Sequence, residues 1–138
     1  MVDQWDPVSL DEKLLRRVPA QWCNTSLPQP IQRVAFEPNE SDMDGLSLFR
    51  ELFITPEELA QTGRKPGTYF IGRLRASDVL ELQLTIRPDP REDQPAGHVV
   101  IPELSFTEMK QRKSKSKELQ NELAKLAGKD IAYKPAGA

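Results

Sequence analysis

His98 is the sole histidine of the chain and Cys23 its sole cysteine. An imidazole is the side chain best suited to proton transfer near neutral pH. His98 is therefore the first catalytic candidate, with Arg16 or Arg75 as phosphate contacts and Ser47 as a further candidate. Glu103 and Ser105 are its candidate neighbours along the chain. Pairing Cys23 with His98 would give a nucleophile and its base, although Gln21-Trp-Cys-Asn-Thr25 matches no known nucleophile pattern. The structural alternative has His98 holding a strand-end hydrogen bond and Cys23 packed as a small hydrophobe. An enzyme reading requires His98, Arg16 and Ser47 to meet in one concave pocket.

Arginines form a second constellation: Arg16-Arg17, Arg33, Arg73 and Arg75. A guanidinium fork suits phosphate. Strand alternation would put Arg73 and Arg75 on one face with Tyr69 and Ile71, where they could meet a nucleotide or single-stranded nucleic acid or simply pair with neighbouring acids. A third cluster, Lys110, Arg112, Lys113, Lys115 and Lys117, is dense enough for phosphate contacts, with Ser114 and Ser116 accessible beside it. It lacks interleaved aromatics, which suits a solvated face better than a nucleic-acid site. A fourth runs from Glu40 to Glu51. Aligned on Gly45, it sets Glu40, Asp42, Asp44 and Glu51 at oxygen-ligand positions of a calcium loop. Pro38 blocks the incoming helix, Ser47 falls where an apolar residue belongs, and no second loop pairs with it. An acidic turn with Gly45 at positive φ is the simpler account, so no metal is expected.

Charge and cysteine usage narrow the function classes. The net charge of −2 over 138 residues argues against a uniformly basic nucleic-acid binder. From Thr107 onward eight basic residues face four acidic ones, a local +4 that leaves −6 on the rest. One cysteine and one histidine form no intrachain disulfide and cannot complete a thiolate zinc site. No phosphate-binding glycine loop, dinucleotide fingerprint or nucleophile elbow is present, and nothing calls for a cofactor. The N-terminus lacks a signal-peptide pattern and no apolar run is long enough to span a bilayer. A cytoplasmic protein with no membrane contact is expected.

Twelve prolines must divide the chain into short elements. Ser9 and Glu12 have capping-box spacing, which predicts a short helix running toward Val18; an extended segment over Leu14–Val18 is equally compatible. Ile31–Phe36 reads as a strand. Thr55-Pro-Glu-Glu58 predicts a helix start, with Gly63 as its stop. Thr68–Leu74 is the best strand pattern, with Gly72 marking a bulge or close approach. Ser77 is placed to cap a helix over 78–82. Leu84–Arg87 reads as a brief strand and His98–Ile101 as another, ended by Pro102. Residues 105–127 read as mainly helical, with a break or an exposed turn within 110–117 and Gly128 as the stop. The sum is an α+β fold: a small mixed or antiparallel sheet, short packed helices and a basic C-terminal helix. Residues 1–104 would form the core; residues 105–138 form a helical tail packed on it or extending from it.

Three segments carry a likeness: Leu14-Leu-Arg-Arg-Val-Pro19, Val34-Ala-Phe-Glu-Pro38 running to Asp44-Gly-Leu-Ser47, and Pro95-Ala-Gly-His-Val-Val-Ile101. The chain resembles a group of short bacterial proteins that pair an LLRRVP-like opening with an AF-P…DGLS turn. The likeness spans most of the first 100 residues and implies a free-standing fold without an attached activity. It marks Arg16, Phe36, Ser47 and His98. The leading expectation is a non-catalytic accessory or immunity-type module that binds a protein partner through its split charge. The alternatives are an enzyme on a nucleotide or nucleic-acid substrate, using His98 with arginine phosphate contacts, and a weak nucleic-acid binder through 110–117.

Overall fold

The computed structural model of the chain describes residues 2–39, 42–107 and 113–138. Six strands form one antiparallel sheet: β1 (Lys13–Val18), β2 (Leu46–Arg50), β3 (Phe70–Arg75), β4 (Arg87–Pro88), β5 (His98–Ile101) and β6 (Ile131–Tyr133). Their spatial order is β4-β5-β2-β1-β3-β6. Among the described residues they are accompanied by the α-helices α1 (Pro56–Ala60), α2 (Ala76–Glu81) and α3 (Lys113–Gly128). The fold is α+β, and among the described residues no helix is long and apolar enough to cross a membrane.

β1 lies between β2 and β3 and is covered on both faces, so Leu14 and Leu15 are both fully buried. That is why its apolar residues fail to alternate cleanly. Leu14 and Val18 join Leu46, Leu48, Phe70, Leu74, Val99 and Ile101 in the larger core, closed by Val79 of α2 and Leu123, Ala124 and Ala127 of α3. Leu15 meets Phe49, Ile71, Leu59 and Ala60 in a smaller core under α1. Gly72 fits the close approach read from its sequence: a Cβ there would lie 3.0 Å from the Cβ of Ala127. The register of β3 against β6 also shifts at that point.

α1 starts as its residues predict. Thr55 Oγ1 accepts from the Glu58 amide at 3.1 Å, and the Glu58 carboxylate accepts from the Thr55 amide at 3.0 Å. Several other elements differ. Ser9 and Glu12 do close a turn, with the Ser9 amide 2.8 Å from Glu12 Oε2. No helix follows, because Glu12 turns inward to Arg50 and the chain enters β1. Ile31–Phe36 is not a strand. Ile31 makes a single bridge to Cys23, and Arg33–Phe36 forms a 3-10 turn whose Ala35 carbonyl is taken by Arg16. α2 begins at Ala76 without a Ser77 cap, since its first amides donate to the Glu12 and Leu10 carbonyls. β4 is confined to Arg87–Pro88. Residues 113–117 are helical rather than broken, and α3 includes Gly128; residues 110–112 lie outside the described chain.

Arg50 ties the N-terminal arm to the sheet. It is fully buried. Its Nε and Nη2 each donate to one Glu12 carboxylate oxygen at 2.8 Å, and Nη1 donates to the Asp6 and Gln4 carbonyls at 2.8 and 3.2 Å. Phe53 covers the guanidinium at 5.1 Å. Burial pushes the Glu12 carboxyl up; hydrogen bonds from Arg50 and Ser9 and the Arg50 charge more than offset this, leaving it below its usual value. Removing one partner of such a pair strands a buried charge, so Arg50→Ala is expected to cost about 3–5 kcal/mol in urea unfolding. The depressed carboxyl contributes stability above its unfolded value, about pH 4.3, and that contribution is lost as pH falls through the folded value. Between pH 7 and pH 3 the native chain should lose more stability than Glu12→Gln. Equal losses would remove the pair from the acid response.

Candidate functional site

Two glycines start the strands that carry the candidate pair. Gly45 (φ +144) precedes β2, where a Cβ would meet the Ile101 carbonyl oxygen at 2.6 Å. Gly97 (φ +83) precedes β5, where a Cβ would meet the Arg50 carbonyl oxygen at 2.9 Å. Both positions lie in the region that side chains disfavour. In the β2–β5 register Phe49 faces His98 and Ser47 faces Val100. Ser47 and His98 are thus diagonal neighbours on one face.

His98 Nε2 lies 2.9 Å from Ser47 Oγ. On the other side of the ring, Nδ1 lies 2.8 Å from the Asp89 carbonyl and 3.3 Å from its Oδ2. The ring is 3% exposed and packs at 5.4 Å from Phe49. A carbonyl only accepts, so Nδ1 carries a proton, and in the neutral ring Nε2 then presents a lone pair to the serine hydroxyl. Asp42 Oδ1 is a second, longer acceptor for that hydroxyl at 3.3 Å.

Ser47 opens onto a cleft of about 610 Å³, lined also by Arg16, Arg17, Trp22, Asp42, Arg64 and Tyr69. Arg16 leaves β1 and donates through Nε and Nη2 to the Ala35 carbonyl at 3.0 and 2.8 Å, and through Nη1 to the Ser47 carbonyl at 2.8 Å. Its guanidinium lies 5.6 Å from the Phe36 ring. Arg17 donates to Thr62 Oγ1 at 2.6 Å and stacks 5.4 Å from Phe49 and 5.9 Å from Tyr69. Burial lowers the pKa of both arginines; Asp42 works against this at Arg16 and Tyr69 at Arg17. Both stay protonated, as guanidiniums do in proteins. Among the described residues neither has a carboxylate within ion-pairing distance.

Arg16 and Ser47, scattered in the sequence, therefore line one cleft, while buried His98 does not line it and meets Ser47 from behind. The segments Leu14–Pro19, Val34–Ser47 and Pro95–Ile101 supply Arg16, Arg17, Ala35, Ser47 and the histidine behind them. Other candidates disperse. Arg73 pairs with Glu51 through a fork at 2.8 and 2.7 Å and with Asp130 at 3.1 Å. The Glu51 hydrogen bond leads the causes that raise its pKa. Arg75 is exposed at the start of α2. Lys115 and Lys117 are exposed on α3, to which Lys113 contributes its first residue, while Lys110 and Arg112 lie outside the described residues. Ser116 is not accessible: it is buried and accepts from Gln120 at 2.8 Å. Of the calcium-loop set, Asp44 pairs with Arg91 at 2.6 Å and Glu51 with Arg73. Asp42 accepts from the Asn39 amide at 3.0 Å, and Glu40 is outside the described residues. No group of three candidate ligands forms among the described residues.

Cys23 sits in the larger core, where burial raises its thiol pKa, and does not join His98. Glu103 bonds Thr85 rather than His98. Asp89 was the partner sequence reasoning missed. It sits between two prolines nine residues before the histidine, and its role appears only when β4 folds beside β5. No protein family, curated protein or solved structure matches the chain.

The hydrogen-bond pattern fixes an expected tautomer. Long-range ¹⁵N–¹H correlation on the neutral ring should show Nδ1 protonated and Nε2 bare; the opposite tautomer would contradict the Asp89–His98–Ser47 order.

Proposed function

We propose that the cleft binds a small phosphate-bearing ligand of the nucleotide class. The observation that carries this is the pair of half-buried guanidiniums, Arg16 and Arg17, with no ion-paired carboxylate among the described residues. Asp42 offsets only part of the desolvation at Arg16. A partly desolvated cation without a paired carboxylate is costly, and an incoming anion recovers that cost. Phosphate suits a planar fork better than a point charge does. Trp22 and Tyr69 offer aromatic surface beside the arginines, which fits a base or another flat group. This favours the nucleotide alternative among the expectations drawn from sequence.

A second reading, the protein-partner module, draws on Trp5, Leu10 and Leu52, which expose 66%, 64% and 59% of their surface near the arm that Arg50 holds. It would show as a partner retained by the native chain and released by Trp5→Ala with Leu10→Ala.

Thermal unfolding with inorganic phosphate, adenosine monophosphate and succinate separates ligand classes. The phosphate compounds should raise the melting temperature in a concentration-dependent way, and Arg17→Gln should abolish the rise. A response to succinate alone would assign the cleft to carboxylates. No response to any of them would end the anion reading.

A further inference from the structure

We infer that Ser47 is a nucleophile toward phosphorus, with His98 as its base and Asp89 as the group that orients the base, so that the cleft hydrolyses a phosphate ester. This rests on the anion-binding reading above and goes beyond it. The order of groups is that of an activated hydroxyl. The nucleophile is half-buried and lines the cleft, the base behind it is almost wholly buried, and the orienting residue lies on the far side of the ring. Of the two acceptors near Ser47 Oγ, the imidazole nitrogen at 2.9 Å is closer than the Asp42 oxygen at 3.3 Å. Opposite a neutral ring, the hydroxyl that donates to Asp42 can turn its proton to the nearer imidazole nitrogen.

The electrophile follows from where the positive charge lies. Arg16 Nη1 is 2.8 Å from the carbonyl oxygen of Ser47 itself. An anion that meets this guanidinium therefore sits beside the serine. An ionised carboxylate so held is a poor electrophile. A phosphate ester keeps an electrophilic phosphorus while its equatorial oxygens take the guanidiniums.

In the first step Ser47 Oγ bonds to phosphorus as its proton passes to His98 Nε2. The bond from phosphorus to the ester oxygen breaks, and the departing alkoxide takes the proton from Nε2. In the second step water attacks the phosphoserine and gives a proton to Nε2. The bond from phosphorus to Oγ breaks, and the proton returns to Oγ. One ester and one water become one alcohol and one phosphate, and no redox partner is needed.

A purely structural Ser47–His98 bond would pin β2 to β5 and leave the hydroxyl inert, so reactivity distinguishes the two. A fluorophosphonate probe forms the same bond from Oγ to phosphorus with loss of fluoride. Intact-mass analysis and peptide mapping should find one adduct, on Ser47, and none on Ser47→Ala. Asp89→Asn keeps the main-chain carbonyl, and with it the ring's strongest anchor, but weakens the charge behind it. It should slow labelling at least about tenfold while the chain still unfolds cooperatively. Folded protein that gives no Ser47 adduct overturns the nucleophile, and an adduct whose rate Asp89→Asn leaves unchanged overturns the orienting role of Asp89. Arg17-dependent phosphate binding without an adduct would sink the nucleophile alone, whereas loss of both would sink the anion reading with it.

Discussion

Arg50 is the charge on which most of the architecture turns. A guanidinium removed from water is tolerable only if nearly every N–H finds an acceptor. Here Glu12 takes two nitrogens, the arm carbonyls take the third, and Phe53 covers the plane. Satisfying that charge draws residues 4–12 across the end of the sheet, and the arm then makes a contact of its own. Gln4 Oε1 accepts from the Gly97 amide at 2.8 Å, and the Arg50 amide donates to the Gly97 carbonyl at 2.9 Å. Gly97 is held on both sides, and the next residue is His98. The placement of the imidazole against Ser47 is thus a consequence of how a charge at the end of β2 is buried.

The arginines divide by what neutralises them, and that division separates structure from site. Arg73 is partly exposed and shared between two acids; exposed or half-exposed pairs of this kind contribute about 0.2–1 kcal/mol. Arg50 is buried and saturated. Arg16 and Arg17 belong to neither class. They are partly withdrawn from water, hydrogen-bonded to neutral groups and stacked on aromatic rings. Cation–π contacts of about 0.5–2 kcal/mol offset part of the desolvation but leave the charge intact. A fold needing only stability could fill these positions with apolar residues at lower cost.

The legible parts of the chain were those whose structure is decided within a few residues. Thr55-Pro-Glu-Glu58 contains its own cap, and Gly97-His-Val-Val-Ile101 contains both its turn and its strand. Misreadings fell where a distant group outbid the local pattern. Ser9 and Glu12 have helix-cap spacing, but Arg50, thirty-eight residues away, claims the carboxylate. Val34–Phe36 has strand composition, but the Arg16 guanidinium takes the Ala35 carbonyl and favours a turn. Of the site, His98 and Arg16 could be named from residue type, and Ser47 only from its place in the Asp44-Gly-Leu-Ser47 segment. Asp89 could not, because one acid among twenty-one carries no mark until two strands bring it under the imidazole.

The Asp42 carboxylate sets a limit on what the site can hold. It is buried, lies near both Arg16 and Ser47, and accepts from the Asn39 amide as well as from the serine. Among the described residues, it is the negative charge that opposes the desolvation of Arg16. A ligand anion arriving beside Ser47 meets attraction from the guanidiniums and repulsion from Asp42 together. Coulomb energies of this kind fall off slowly in a partly desolvated cleft, so the net field depends on having more than one arginine. Arg17 and Arg64, which also line the cleft, supply that excess. Asp42 therefore favours ligands whose charge is spread over several oxygens, which can reach the arginines while keeping away from the carboxylate. That is a property of phosphate more than of a single carboxylate.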